Sequence, residues 1–167
     1  VGGFQRGLDW LREEISKKFE VKFRARLGED ESDDKSVRIL NRIREWKGGV
    51  GIVWEADQRH GEIIVRELGM SAESKSVSTP GAKEGSDGKF EFSPSTYRVL
   101  VARANYLSQD RPDTQFAVKD MCRNMSNPDS SDWMRLKRFG RYLTGEPRKR
   151  LWFEFQGMPK EVVVWTD

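Results

Sequence analysis

Three times after residue 93 the apolar side chains of this chain recur at the spacing of an α-helix, so three stripes must be buried, against one another or against something else. Ser93 and Pro94 form a start signal, a capping hydroxyl followed by the imino acid that a first helical turn tolerates. The stripe behind them is Tyr97, Leu100, Val101, Ala104 and Leu107. Asp113 opens a second helix with Ala117, Val118, Met121, Cys122 and Met125 inward. A third, over residues 131–143, buries Leu136, Phe139, Gly140 and Leu143. At about 100° per residue this sends Lys137, Arg138 and Arg141 to the opposite side. A solvated basic face and a phosphate-binding face are both compatible with that pattern.

The first 70 residues read differently. Leu8, Leu11, Ile15 and Phe19 form one stripe of an amphipathic helix over residues 9–20, flanked by the i,i+4 pairs Glu13 with Lys17 and Glu14 with Lys18. In "EVKFRARL" the apolar Val21, Phe23, Ala25 and Leu27 alternate with cations, the period of a half-buried strand. The acidic run "GEDESDD" lacks the order of an EF-hand loop and reads as a solvated loop. "KSVRILNRIREWKGGVGIVWEAD" then reads as two strands around a turn at Gly48, Gly49 and Gly51. Val37, Ile39 and Ile43 are assigned to the core side, and Arg38, Leu40, Arg42, Arg44 and Trp46 to the other, a cationic and apolar face that suits phosphate and sugar. Asp57 caps a helix that ends at Gly69. Residues 71–95, rich in Ser, Gly, Pro and Lys, read as a linker, and "RLWFEF" and "EVVVWTD" as terminal strands.

Charge and rare residues narrow the chemistry. The 30 basic and 27 acidic residues leave only +3, but acid gathers at residues 29–34 and base at 135–150. The single cysteine, Cys122, excludes an internal disulfide, which fits a reducing compartment or indifference to redox; an intracellular place, cytoplasmic or nuclear, is the expectation, with no feature that chooses between them. No apolar run reaches the roughly 20 residues of a membrane span, so no membrane partner is expected. The one histidine, His60, has no second ligand at metal spacing and reads as packing or capping. With no G-x-S-x-G and one histidine, nucleophilic catalysis is unsupported. "GGVG" leads into a strand and lacks a third glycine, so it is no dinucleotide fingerprint.

Taken together, the segments resemble the reverse transcriptase region of copia-type retrotransposon polyproteins. The carriers are Tyr97, Tyr106 and Leu107, then Arg111, Pro112 and Asp113, then Phe116 to Val118, and then Lys137, Arg138, Arg141, Tyr142, Leu143 and Gly145. More loosely, Gln58, Gly69, Met70, Thr79 and Pro80 hold the places of the family's Gln-led helix, its G-M and its T-P linker. Asn41 departs from the family's hairpin glycine.

The resemblance implies an α+β fold, a partial reverse-transcriptase palm with a β-hairpin, then a linker, a three-helix thumb or connection bundle, and strands opening an RNase H-like domain. The corresponding divisions are residues 1–70, 71–95, 96–150 and 151–167. It implies that Leu40, Asn41 and Arg42 form a primer grip, and that Lys137, Arg138 and Arg141 contact the phosphates of an RNA/DNA or DNA template-primer duplex. It also implies that Asp167 is the first metal ligand of an RNase H site, that the Mg²⁺ of the parent enzyme is held by carboxylates mostly outside these residues, with a Y-V-D-D before Val1, and that the remainder of the polyprotein is a partner. The alternative is a non-catalytic basic nucleic-acid-binding module or domesticated remnant.

Overall fold

The computed structural model describes residues 3–81, 91–157, 161, 163 and 164. Their order is α1 (Gln5–Lys18), β1 (Ser36–Ile39), β2 (Arg42–Lys47), β3 (Gly51–Glu55), α2 (Gln58–Glu67), α3 (Pro94–Ser108), α4 (Pro112–Arg123), α5 (Ser130–Gly145) and β4 (Arg150–Glu154). The described part of the chain is thus mixed α+β, with five helices and one antiparallel sheet in the order β1-β2-β3-β4.

The helical core follows the stripes. Tyr97, Leu100, Val101, Ala104 and Leu107 of α3 meet Ala117, Val118 and Met121 of α4 and Leu136, Phe139, Tyr142 and Leu143 of α5, all buried. Ser93 caps α3 by accepting from the Thr96 N–H, and Pro94 occupies its first turn. Pro112 starts α4 one residue before the expected Asp113, which instead stands in the first turn. At α5, Asp129 and Asp132 exchange side-chain and backbone bonds in a capping box, so the helix begins at Ser130 and runs two residues past 143.

The bundle has a fourth member. Ile64 of α2 is fully buried in the same core, and α2 packs on α3 and α5. Asp57 caps α2 as expected, accepting from the Arg59 N–H at 3.2 Å. The division drawn after residue 70 therefore crosses the core. Residues 71–81 are no free linker either. Gly140 has no Cβ to collide with Leu68 and Met70, Val77 packs against the core, and Arg138 holds the segment through Gly81 O (2.9 Å) and Thr79 Oγ1 (2.7 Å). On the far side Phe92 stacks on Trp133 with centroids 5.2 Å apart.

The sheet corrects the hairpin reading. There are three strands between residues 36 and 55, because the chain reverses at Leu40 and Asn41 as well as at the glycines. Both turn residues are left-handed, with φ of 51° and 60°, the requirement of a two-residue type I′ connection. A two-residue turn pairs Ile39 with Arg42 and Val37 with Arg44, and directly opposed residues share a face. Val37 and Ile39 therefore lie with Arg42, Arg44 and Trp46, whereas Arg38 lies with Ile43. Alternation assigned through the turn inverts one strand.

"RLWFEF" forms β4, but it pairs with β3, Leu151 opposite Trp54 and Phe153 opposite Ile52, so the division at 150/151 runs along an edge of this sheet. At Gly51, with φ of 144°, an added Cβ would sit 2.0 Å from Phe153 O, so the β3–β4 pairing needs glycine there. The expected strand over residues 21–27 does not form. Its backbone finds no ladder beyond one bridge from Leu27 to Asp34, and its side chains bond locally: Arg26 to Asp33 and Asp9, and the Phe23 ring to the Arg12 guanidinium. The stripe of α1 is only half-buried, and Phe19 and Trp10 are exposed. In the acidic loop the Lys35 ammonium gathers the carbonyls of Gly28, Glu29 and Asp30 at 2.7–3.0 Å.

Candidate nucleic-acid interface

Sequence reasoning nominates two groups, the hairpin tip and the basic face of α5, and the fold treats their members differently. Leu40 and Asn41 project into solvent at the β1–β2 turn, Leu40 with 71% of its surface exposed. Arg42 does not. Its guanidinium turns inward, pairs with Asp110 at the end of α3 and lies 5.1 Å from the centre of the Tyr106 ring. The hydrogen bond to Asp110 raises the Arg42 pKa against the opposing effect of burial. Arg42 is thus a strut between hairpin and helices. His60 also meets the Tyr106 ring, centroids 4.6 Å apart, its pKa pushed down chiefly by burial; it packs, as its isolation in the sequence suggests.

On α5, Arg141 is exposed, Lys137 is half-buried, and Arg138 is held by the 71–81 segment. The three cations do not form one open row, because Arg138 is held on the protein itself. The following cluster is engaged too. Arg148 donates to Glu55 at 2.8 and 2.9 Å, Arg150 to the same carboxylate at 2.8 Å, and Lys149 approaches the Tyr142 hydroxyl at 3.4 Å. Glu55 is buried, so these bonds join β3 to the connection after α5.

A further constellation was missed as a unit, although its members were read separately. Arg111 is 2% exposed and donates to both oxygens of Asp113, which also accepts from the Tyr142 hydroxyl at 2.7 Å. Burial pushes the Asp113 pKa up, but the hydrogen bonds from Arg111 and Tyr142 win and hold it below the ordinary carboxylate value. The R-P-D and R-Y-L segments therefore interlock α4 with α5. Twenty-nine residues separate Asp113 from Tyr142, too far for any local pattern to reveal the bond.

Asp167 lies outside the described residues. Within them, no group of three or more His, Cys, Asp or Glu is gathered as metal ligands. No described helix is long and apolar enough to cross a membrane.

With this geometry in view, the relatives can be weighed. The chain is 41% identical over 54 residues to the retrovirus-related Pol polyprotein from transposon RE2 of Arabidopsis thaliana, covering 32% of this chain and 4% of that protein. It is 34% identical over 91 residues to an uncharacterized mitochondrial protein of the same plant, covering 52% of this chain and 37% of the other. The chain is similar to part of a retrotransposon polyprotein. It spans well under half the length of either relative. No protein-family model matches. No solved structure matches either.

Proposed function

We propose that this chain is an interior piece of a copia-type reverse transcriptase with RNase H, and that its part is to position a template-primer duplex. The observation that carries the reading is the similarity to a transposon Pol polyprotein. The hairpin gives that reading a working part. An exposed leucine on left-handed backbone costs about 1–2 kcal/mol that glycine would avoid, and it contributes no packing in return. Local strain of this kind is kept where a surface is used. In this reading Leu40 and Asn41 touch the primer end while Arg42, engaged by Asp110 and Tyr106, sets the height of the tip. Placement matters because a shift of about 1 Å can cost on the order of a hundredfold in rate.

The Mg²⁺ of nucleotidyl transfer belongs, in this proposal, to the parent enzyme. The described residues offer it no ligand cluster. Of the α5 cations, Arg141 is assigned to backbone phosphate and Arg138 to the fold. The test is an anisotropy titration with an RNA/DNA hybrid at several salt concentrations. Arg141→Gln is expected to flatten the slope of log K against log salt by roughly one unit, whereas Arg138→Gln leaves the slope and lowers the melting temperature. Absence of hybrid binding by the chain, or an unchanged slope for Arg141→Gln, contradicts the assignment.

A further inference from the structure

The pairing register sorts the charges of the sheet. All three carboxylates of the four strands, Glu45, Glu55 and Glu154, fall on the face that also carries Arg38, Lys47 and Arg150. The opposite face holds Arg42, Arg44, Trp46, Trp54, Phe153 and aliphatic residues, and no carboxylate of the strands. Arg42 is engaged by Asp110, and among the described residues Arg44 forms no ion pair. At its Arg42 end this face meets Tyr106 of α3; among the described residues no helix runs alongside the rest of it.

Two further features mark the carboxylate-free face. The Arg44 guanidinium lies 3.9 Å from the centre of the Trp54 ring, and Trp54 in turn stands 6.2 Å from Phe153, a residue 53% exposed. Arg44 Nη1, Trp46 Nε1 and Trp54 Nε1 are buried donors that meet no acceptor among the described residues. Such donors are uncommon in a finished surface and ask for oxygen atoms. A face with cation, aromatic rings and donors, but no anion, is complementary to a chain of phosphates and bases.

We propose that this face is a platform for a nucleic-acid strand leaving the hairpin tip, with a phosphate held at Arg44 and a base or sugar lying against Phe153. The proposal rests on the duplex-positioning reading above and adds the path of one strand. Stacking tolerates any base, and a single cation gives no base-edge readout, so the platform takes strand without regard to sequence.

The experiment uses the 167-residue chain, a labelled oligo(dT) and an RNA/DNA hybrid, with tryptophan fluorescence as a second readout. Oligo(dT) is expected to quench the tryptophans. Arg44→Gln and Phe153→Ser should each weaken its binding by roughly tenfold, and Arg44→Gln should also reduce the salt slope by about one unit. Arg38→Gln, on the opposite face, should leave affinity within about twofold. If Arg44→Gln disturbs folding, Phe153→Ser, at an exposed position, decides alone. Hybrid binding by the wild type with both variants unchanged overturns the platform and leaves the duplex reading standing; no binding of either probe overturns both. Concentration-dependent self-association abolished by Phe153→Ser, with oligo(dT) affinity unchanged, makes the face a protein contact and likewise overturns the platform.

Discussion

Arg111 carries a permanent charge where water hardly reaches, and it is tolerated there because Asp113 stands two residues on and returns both carboxylate oxygens. Removing one member of such a pair leaves the other charge buried and uncompensated, which costs about 3 kcal/mol. Asp113→Asn is therefore expected to lower the unfolding free energy by about that amount in a urea titration, far more than an exposed substitution. The pH dependence has a definite sign. Asp113 ionises more readily in the fold than in the unfolded chain, so its contribution is complete above the unfolded value of about 4 and fades as pH falls through the lower folded value. The acid limb of the stability profile should be shallower in Asp113→Asn than in the wild type. An acid limb of equal steepness would mean that this carboxylate is not a principal source of it.

At the scale of elements, the helices were legible and the sheet was only partly so, for a physical reason. A helical stripe repeats within one segment, so Tyr97 to Leu107 announce their buried side without reference to anything else. A strand face depends on where the chain turns. Nothing in "ILNRI" carries the usual Asn-Gly signal of a type I′ turn, so alternation runs straight through the reversal at Leu40 and Asn41 and sets Ile43 on the face of Val37 and Ile39, where the register puts Arg42 and Arg44 instead. The strand expected over residues 21–27 failed for the related reason that alternation supplies a face but no partner. The turn yields a prediction of its own. Leu40→Gly relieves left-handed strain and should raise stability by about 0.5–1 kcal/mol, while lowering hybrid affinity if the leucine is the contact. A variant less stable than the wild type would show that Leu40 packs in a way its exposure does not suggest.

Among the described residues, α2 to α5 pack on one another and the strands pair in one sheet, and the two groups are tied by side-chain joints: Arg42 to Asp110 with Tyr106, and Glu55 to Arg148 after α5. Neither joint was legible in the sequence, since 68 residues separate Arg42 from Asp110 and 93 separate Glu55 from Arg148. Arg42 and Arg148, two cations of the basic hairpin and of the basic segment after α5, are thus part of the joinery. Asp110→Asn should therefore loosen the hairpin selectively. Amide exchange is expected to quicken in β1 and β2 and to stay slow in α3 and α5; uniform quickening would mean that the joint supports the whole fold instead of setting the tip.

In the proposed function the tip so positioned meets the primer end. The direct measurement is photo-crosslinking with an RNA/DNA hybrid carrying a photoreactive nucleotide at the primer 3′ end, followed by mass-spectrometric mapping of the tryptic peptides. The main adduct is expected on the peptide of residues 39–42, which holds Leu40 and Asn41, and should be lost in competition with unlabelled hybrid. Adducts spread over α1 and the acidic loop, with none on residues 39–42, would contradict it.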